Sequence, residues 1–175
     1  MSRGLRLIPI LLLLVILSGL VWRLIKPPNP AVPSQMVERT VPQFELAAAL
    51  PAKPGLKSAD LATGEPRLLN IFASWCVPCV SEVKVLQDLK HRGVAIAGID
   101  VRDRPDDLAA FLARNGDPYE RIGSDAQSQV QIALGSSGVP ESFVVDGKGI
   151  IRYQHIGPIE AGDVPTILAK LEQAR

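Results

Sequence analysis

Two cysteines, Cys76 and Cys79, are all the thiols in this 175-residue chain, and they stand in the run Trp75-Cys76-Val77-Pro78-Cys79. Several chemistries use such a pair. As a structural staple it would close so short a loop that the gain is only about 2 kcal/mol by chain-entropy reasoning. As a metal site it would need three or four ligands, and the two histidines, His91 and His155, are far away in sequence. A copper-delivery or haem-handling module using the pair as soft ligands would usually add a His or Met, yet Met1 and Met36 are the only methionines. The redox reading requires a Cys-x-x-Cys pair just after a buried strand and at the mouth of a helix, which is the context here.

The physics assigns the two thiols different work. Only a thiolate attacks a disulfide. Cys76 falls at a helix N-terminus, where free N–H groups and the helix dipole favour negative charge, so it is the expected nucleophile. Cys79, one turn inside and more shielded, is the expected resolving thiol. Pro78 is tolerated because the first helical turn has no N–H partners to lose. Trp75 is expected to cover the site and offer an apolar surface to a substrate; a plain core aromatic is the competing reading.

The elements that must hold these residues are legible around them. Arg67 to Ala73 is a nearly continuous apolar run, as in a strand buried on both faces. From Val77 to His91, Val80, Val83, Leu86 and Leu89 recur at helical spacing, and Gly93 ends the pattern. Residues 94–101 form a second buried strand. Pro105-Asp106-Asp107 opens a second helix that closes near Asn115-Gly116. A short helical stretch follows at about 127–134. Strands at 142–145 and 150–154 flank the turn Asp146-Gly147-Lys148-Gly149, and a final helix covers about 162–172. Strand–helix–strand followed by an antiparallel hairpin and a helix predicts α/β with a mixed sheet.

The N-terminus is of another kind. Residues 7–22 carry no charge, and Arg3, Arg6, Arg23 and Lys26 flank them. Four of the 19 basic residues and none of the 18 acidic ones lie within 1–26, so the rest of the chain holds 15 basic against 18 acidic. A spanning helix needs about 20 apolar residues, with about 17 as a lower bound, and Arg23 and Lys26 can snorkel. The run is long for a cleaved secretory signal and lacks a small-x-small site, although that alternative stands beside it. The expected organisation is an anchor over 1–26, a Pro-rich linker over 27–40 and one domain over 41–175. First-helix signals of this type leave the short N-terminus in the cytoplasm. A net charge of +1 offers no case for nucleic acid as partner, and no cofactor or metal is expected.

Five stretches resemble one known family, the CcmG/DsbE thioredoxin-like thiol:disulfide interchange proteins of cytochrome c biogenesis. They are Leu68 to Cys79, Glu82, Gly116-Asp117-Pro118-Tyr119, Gly138-Val139-Pro140-Glu141-Ser142-Phe143, and Asp146 to Tyr153. The resemblance implies a thioredoxin-like fold, a central mixed β-sheet flanked by helices, behind one N-terminal transmembrane helix. It also implies a redox-active Cys76–Cys79 disulfide and a catalytic domain in the periplasm of the bacterial inner membrane. In such proteins the domain acts as a reductant. Electrons come from a membrane thiol transporter of the CcdA or DsbD type. They pass to apocytochrome c or to a dithiol partner of the CcmH type.

Residue by residue, the resemblance makes Pro140 the cis-proline facing the pair, with the Val139 backbone free to pair with a substrate segment. Glu82 and Glu141 match the acidic positions around the site. Asn70 stands where ordinary thioredoxins carry a buried Asp, so Glu82 or Glu141 is the expected manager of the Cys79 proton; both are also residue types usual on a solvated helix or loop. Gly135-Ser136-Ser137-Gly138 departs from the family's usual Gly-Val-Tyr-Gly and bears on substrate preference. A general periplasmic disulfide reductase or oxidase fits the same residues. His155 is expected at a strand end on the surface, and His91 as a helix C-terminal dipole partner.

Overall fold

β3 (Arg67–Phe72), whose last five residues are buried, is the strand on which the rest is assembled. The computed structural model of the protein describes residues 8–25 and 36–175. In the five-stranded sheet of the domain the order is β5 (Arg121–Asp125), β4 (Ile96–Val101), β3, β6 (Glu141–Val145) and β7 (Ile151–Ile156). β3, β4 and β5 run parallel, and β6 and β7 join antiparallel. The sheet is therefore mixed, and the α/β, thioredoxin-like expectation holds.

Alternation along β3 sorts its side chains onto two faces. Leu68 and Phe72 pack with Val83, Leu86 and Leu89 of α2 (Val77–His91), Leu108 and Phe111 of α3 (Pro105–Asn115) and Ile167 of α5 (Val164–Gln173). Leu69 and Ile71 join the opposite cluster with Ala97, Ile99, Val41, Leu56 and Val130 of α4 (Gln129–Ala133). Asn70 lies between Leu68 and Phe72 in this alternation, so a polar residue is placed on the α2 face.

Two parts of the domain were not foreseen. β5 contains a single large apolar residue, Ile122, and has no strand periodicity. It exists because it pairs in parallel with β4 from Ala97 to Val101. The small hairpin of β1 (Glu45–Leu46) and β2 (Leu56–Lys57) covers Gly123, where an added Cβ would meet Leu46 Cβ at 2.7 Å.

Residues 27–35 of the expected linker lie outside the described residues. Residues 36–40, also assigned to the linker, are hydrogen-bonded to β7: Glu38 N–H donates to the Ile151 carbonyl, and Ile151 N–H donates to that of Arg39. At the N-terminus, α1 (Ile8–Ile25) is an 18-residue helix. Among the described residues no helix is long and apolar enough to cross a membrane. At 1.5 Å per residue α1 spans about 27 Å, against about 30 Å of hydrocarbon, and Arg23 sits in its last turn.

Candidate active site

α2 begins at Val77 because Cys76 caps it. The Cys76 backbone is extended, and its Sγ accepts from the Cys79 N–H at 3.2 Å, so the sulfur occupies the place of a capping oxygen. Pro78 lies in the first turn, where it removes no helical hydrogen bond. Cys76 and Cys79 are joined by a disulfide with Cα atoms 5.3 Å apart. Cys79 is 1 % exposed and Cys76 3 %, so both sulfurs are enclosed and the resolving position only slightly more so. Trp75 is not a core aromatic: it is 57 % exposed and its Nε1 donates to the Val101 carbonyl at 3.2 Å. With exposed Val77 and Val80 it forms an apolar surface beside the pair.

Behind the disulfide lies a buried polar chain. Tyr119 donates its hydroxyl to Asn70 Oδ1 at 2.7 Å. Asn70 Nδ2 donates to Glu82 Oε1 at 2.9 Å and is 3.0 Å from Ser142 Oγ. The Ile159 N–H donates to Glu82 Oε2 at 3.0 Å. Glu82 is 1 % exposed, not the solvated acid that its residue type suggests. Its place three residues after Cys79 turns it towards the sheet, where Asn70 waits. Burial pushes its carboxyl from 4.5 up to about 7, against the lowering effect of the hydrogen bonds from Ile159 and Asn70. A group poised there can take and return a proton at neutral pH.

Tyr119 ends the Gly116-Asp117-Pro118-Tyr119 run, and its connection to Glu82 through Asn70 is visible only in three dimensions. It stacks on Phe72 with ring centroids 4.4 Å apart. This requires Gly98, whose added Cβ would lie 2.9 Å from the Phe72 ring and 3.0 Å from that of Tyr119. Burial, then the charge of Glu82, raise the Tyr119 phenol well above its ordinary value, so it remains a hydrogen donor.

Glu141 opens β6 and is also fully buried. Its Oε2 accepts from the Ser136 hydroxyl at 2.8 Å and the Ser137 N–H at 2.9 Å, and Gln154 Nε2 donates to Oε1. Ser136 and Ser137 thus tie the 135–138 loop to Glu141. Burial is tolerated because each oxygen has a donor. Between them, Val139–Pro140 is a cis peptide, and the Pro140 carbonyl accepts from Gly157 N–H. Glu82 and Glu141, alike in sequence, therefore belong to different networks.

His155 Nε2 lies 3.3 Å from the Pro158 carbonyl and 3.7 Å from Asp163 Oδ2, at the end of β7. His91 is in the last turn of α2. Among the described residues no group of three or more His, Cys, Asp or Glu is arranged to hold a metal ion.

The Redoxin family model matches residues 36–171 of the chain. The thiol:disulfide interchange protein HelX of Rhodobacter capsulatus is 40 % identical over 132 residues, covering 75 % of this chain and 74 % of that protein. The thiol:disulfide interchange protein DsbE of Escherichia coli K12 is 34 % identical over 165 residues, covering 91 % and 88 %. Among solved structures, a thiol:disulfide interchange protein of the thioredoxin family from Chlorobium tepidum superposes with a TM-score of 0.58 at 27 % identity, over 77 % of this chain and 94 % of that one.

Proposed function

Because this chain belongs to the Redoxin family, among thiol:disulfide interchange proteins of the DsbE type, we propose that it is a membrane-anchored periplasmic reductant. On this reading it keeps the cysteines of apocytochrome c, or of a dithiol maturation partner, reduced for haem attachment. The disulfide oxidoreductase chemistry itself is that of the family. What supports the reductive direction is Glu82, a buried acid one helical turn from Cys79. A carboxylate there disfavours a thiolate nearby, and a dithiol whose thiolate is not strongly stabilised is a reductant.

In the forward reaction the Cys76 thiolate attacks one sulfur of the substrate disulfide. A Cys76–substrate bond forms, and the other substrate sulfur leaves as a thiolate and is protonated. Glu82 accepts the proton of Cys79, whose thiolate then attacks Cys76 Sγ. The second substrate thiolate leaves, two electrons have passed to the substrate, and the protein ends as the Cys76–Cys79 disulfide. Trp75 and the Val139 backbone flank the incoming segment. A membrane thiol transporter of the CcdA or DsbD type would return the two electrons.

Anchoring through residues 1–26 is supported by the uncharged run 7–22 and by its basic flanks. Arg23 and Lys26 can snorkel to the interface, so that Leu24 and Ile25 add to the apolar length.

The direction of electron flow is tested by the reduction potential of the full chain in detergent micelles, equilibrated with glutathione or dithiothreitol. A value near about −270 mV supports the proposal; a value near about −120 mV, typical of a strong periplasmic oxidant, overturns it and reverses the flow.

A further inference from the structure

The loop between β4 and α3 sets a charged cleft against the residues that lead into Cys76. Ser74 and Trp75 form one wall of this cleft of about 410 Å³, and Arg102, Arg104 and Arg114 line the other. The first wall is fixed in place. Asp103 accepts from the Ser74 N–H at 2.6 Å and from the Ser74 hydroxyl at 2.7 Å, and Trp75 Nε1 donates to the Val101 carbonyl at 3.2 Å. The three arginines are exposed, and among the described residues none of them has an ion-pair partner.

Two carboxylates share the cleft with the arginines, Asp103 and Asp107. Both Asp103 oxygens are taken up by Ser74. Asp107 stands in the first turn of α3, where the positive end of the helix offsets its charge. At the end of β4, Asp100 is 2 % exposed, and burial pushes its carboxyl up to about 9, so it adds no charge at neutral pH. The cleft is therefore cationic, within a domain of opposite sign: beyond residue 26 the chain holds 15 basic against 18 acidic residues. Arg102 is also held at φ 55°, a left-handed conformation that glycine adopts freely and side-chain-bearing residues adopt at a cost. An arginine in that position points to a use for its side chain.

We propose that this cleft seats a carboxylate side chain of the polypeptide whose disulfide is exchanged, with Arg102 and Arg114 as specificity-determining contacts. A guanidinium pairs with a carboxylate through two parallel hydrogen bonds, which fixes position as well as charge. The cleft begins at Trp75, the residue next to Cys76. An extended segment advances about 3.3–3.6 Å per residue, so a substrate cysteine bonded to Cys76 Sγ brings residues about two to four positions away over the arginines. Because the cleft lies on one flank of the pair, only one side of the substrate cysteine reaches it. The inference rests on the disulfide-exchange reading and names the polypeptide that this site favours, one with Asp or Glu on that side of its reactive cysteine.

The test is the reduction of short peptides, each with one intramolecular disulfide, by the dithiol form of the full chain in non-ionic detergent micelles, followed by mass spectrometry. One peptide carries glutamine at the flanks, one a glutamate about three residues before the disulfide, and one a glutamate about three residues after it. At low salt one glutamate peptide is expected to react about three- to tenfold faster than the glutamine peptide, and the other to gain little. The preference should fade at about 1 M salt, where the screening length is about 3 Å. In the double variant Arg102→Gln with Arg114→Gln the ratio of glutamate to glutamine peptide should fall to near unity. Arg102→Lys with Arg114→Lys should keep only part of it, since lysine supplies charge without the planar fork. Changes in the general reactivity of Cys76 cancel in each ratio. Equal gain from both glutamate positions means long-range attraction and no seat, and overturns the proposal, as does a wild-type ratio near unity or a preference that survives in the glutamine double variant. Each of these leaves the exchange reading standing. Failure to reduce any of the peptides would remove the exchange reading, and this proposal with it.

Discussion

Replacing Glu82 with glutamine changes little in shape and removes an ionisation, so it isolates the cost of the buried acid. In the folded protein the carboxyl titrates at about 7 against an ordinary 4.5. The folded state therefore binds the proton more tightly than the unfolded chain. Stability from this group is complete below pH 4.5, falls as pH rises through about 7, and is constant above. At about 1.4 kcal/mol per pH unit, the shift corresponds to about 3 kcal/mol lost between the two ends. Glutamine cannot accept from both Asn70 Nδ2 and the Ile159 N–H, which adds an offset of about 1–3 kcal/mol for an unsatisfied donor, the same at every pH. Asp100 titrates in both proteins and cancels in their difference. The assay is urea unfolding of the oxidised full chain in detergent micelles, wild type and Glu82→Gln, between about pH 4 and 9. The stability of the variant relative to wild type should climb by about 3 kcal/mol across the acidic-to-neutral range and then level off. Two curves that stay parallel would refute both the raised carboxyl and the proton-accepting role built on it.

Further outcomes follow from the same geometry. Cys79→Ser should accumulate a mixed disulfide between Cys76 and a substrate thiol, seen as a mass adduct that dithiothreitol removes, whereas Cys76→Ser should form none; trapping by Cys76→Ser alone would reverse the assignment of nucleophile, and equal trapping by both would remove it. Tyr119→Phe leaves Asn70 Oδ1 without its donor and should cost about 1–3 kcal/mol in urea unfolding. Gly98→Ala drives a methyl into the stacked Phe72 and Tyr119 rings and should cost about 1–3 kcal/mol as overpacking; a neutral effect would mean the rings yield freely.

Much of the site could be read from residue order because its chemistry is local. Trp75 to Cys79 sits at the start of a helix whose apolar spacing runs to His91, and both the strand before it and the cap at Cys76 depend on neighbouring residues. The hairpin signal at Asp146 to Gly149 is equally local. β5 was missed because its residues carry no period of their own; a parallel strand is stabilised by a neighbour that lies far along the chain. The β1–β2 hairpin is too short to leave a pattern.

Burial decided the rest. Glu82 and Glu141 are the same residue type, and nothing in their local sequence says which network each one joins. The tertiary structure joins Glu82 to Asn70, Ile159 and, through Asn70, Tyr119, while Ser136, Ser137 and Gln154 claim Glu141. Likewise, Asp100 and Asp103 look like a polar strand end until the sheet buries one and the turn before Cys76 binds the other. The sequence by itself determined which atoms exchange electrons, since two thiols on one helical turn suffice for that. Which acids lose their water, and so can hold or release a proton near neutral pH, depends on desolvation by residues distant in the chain, and only the folded structure decided it.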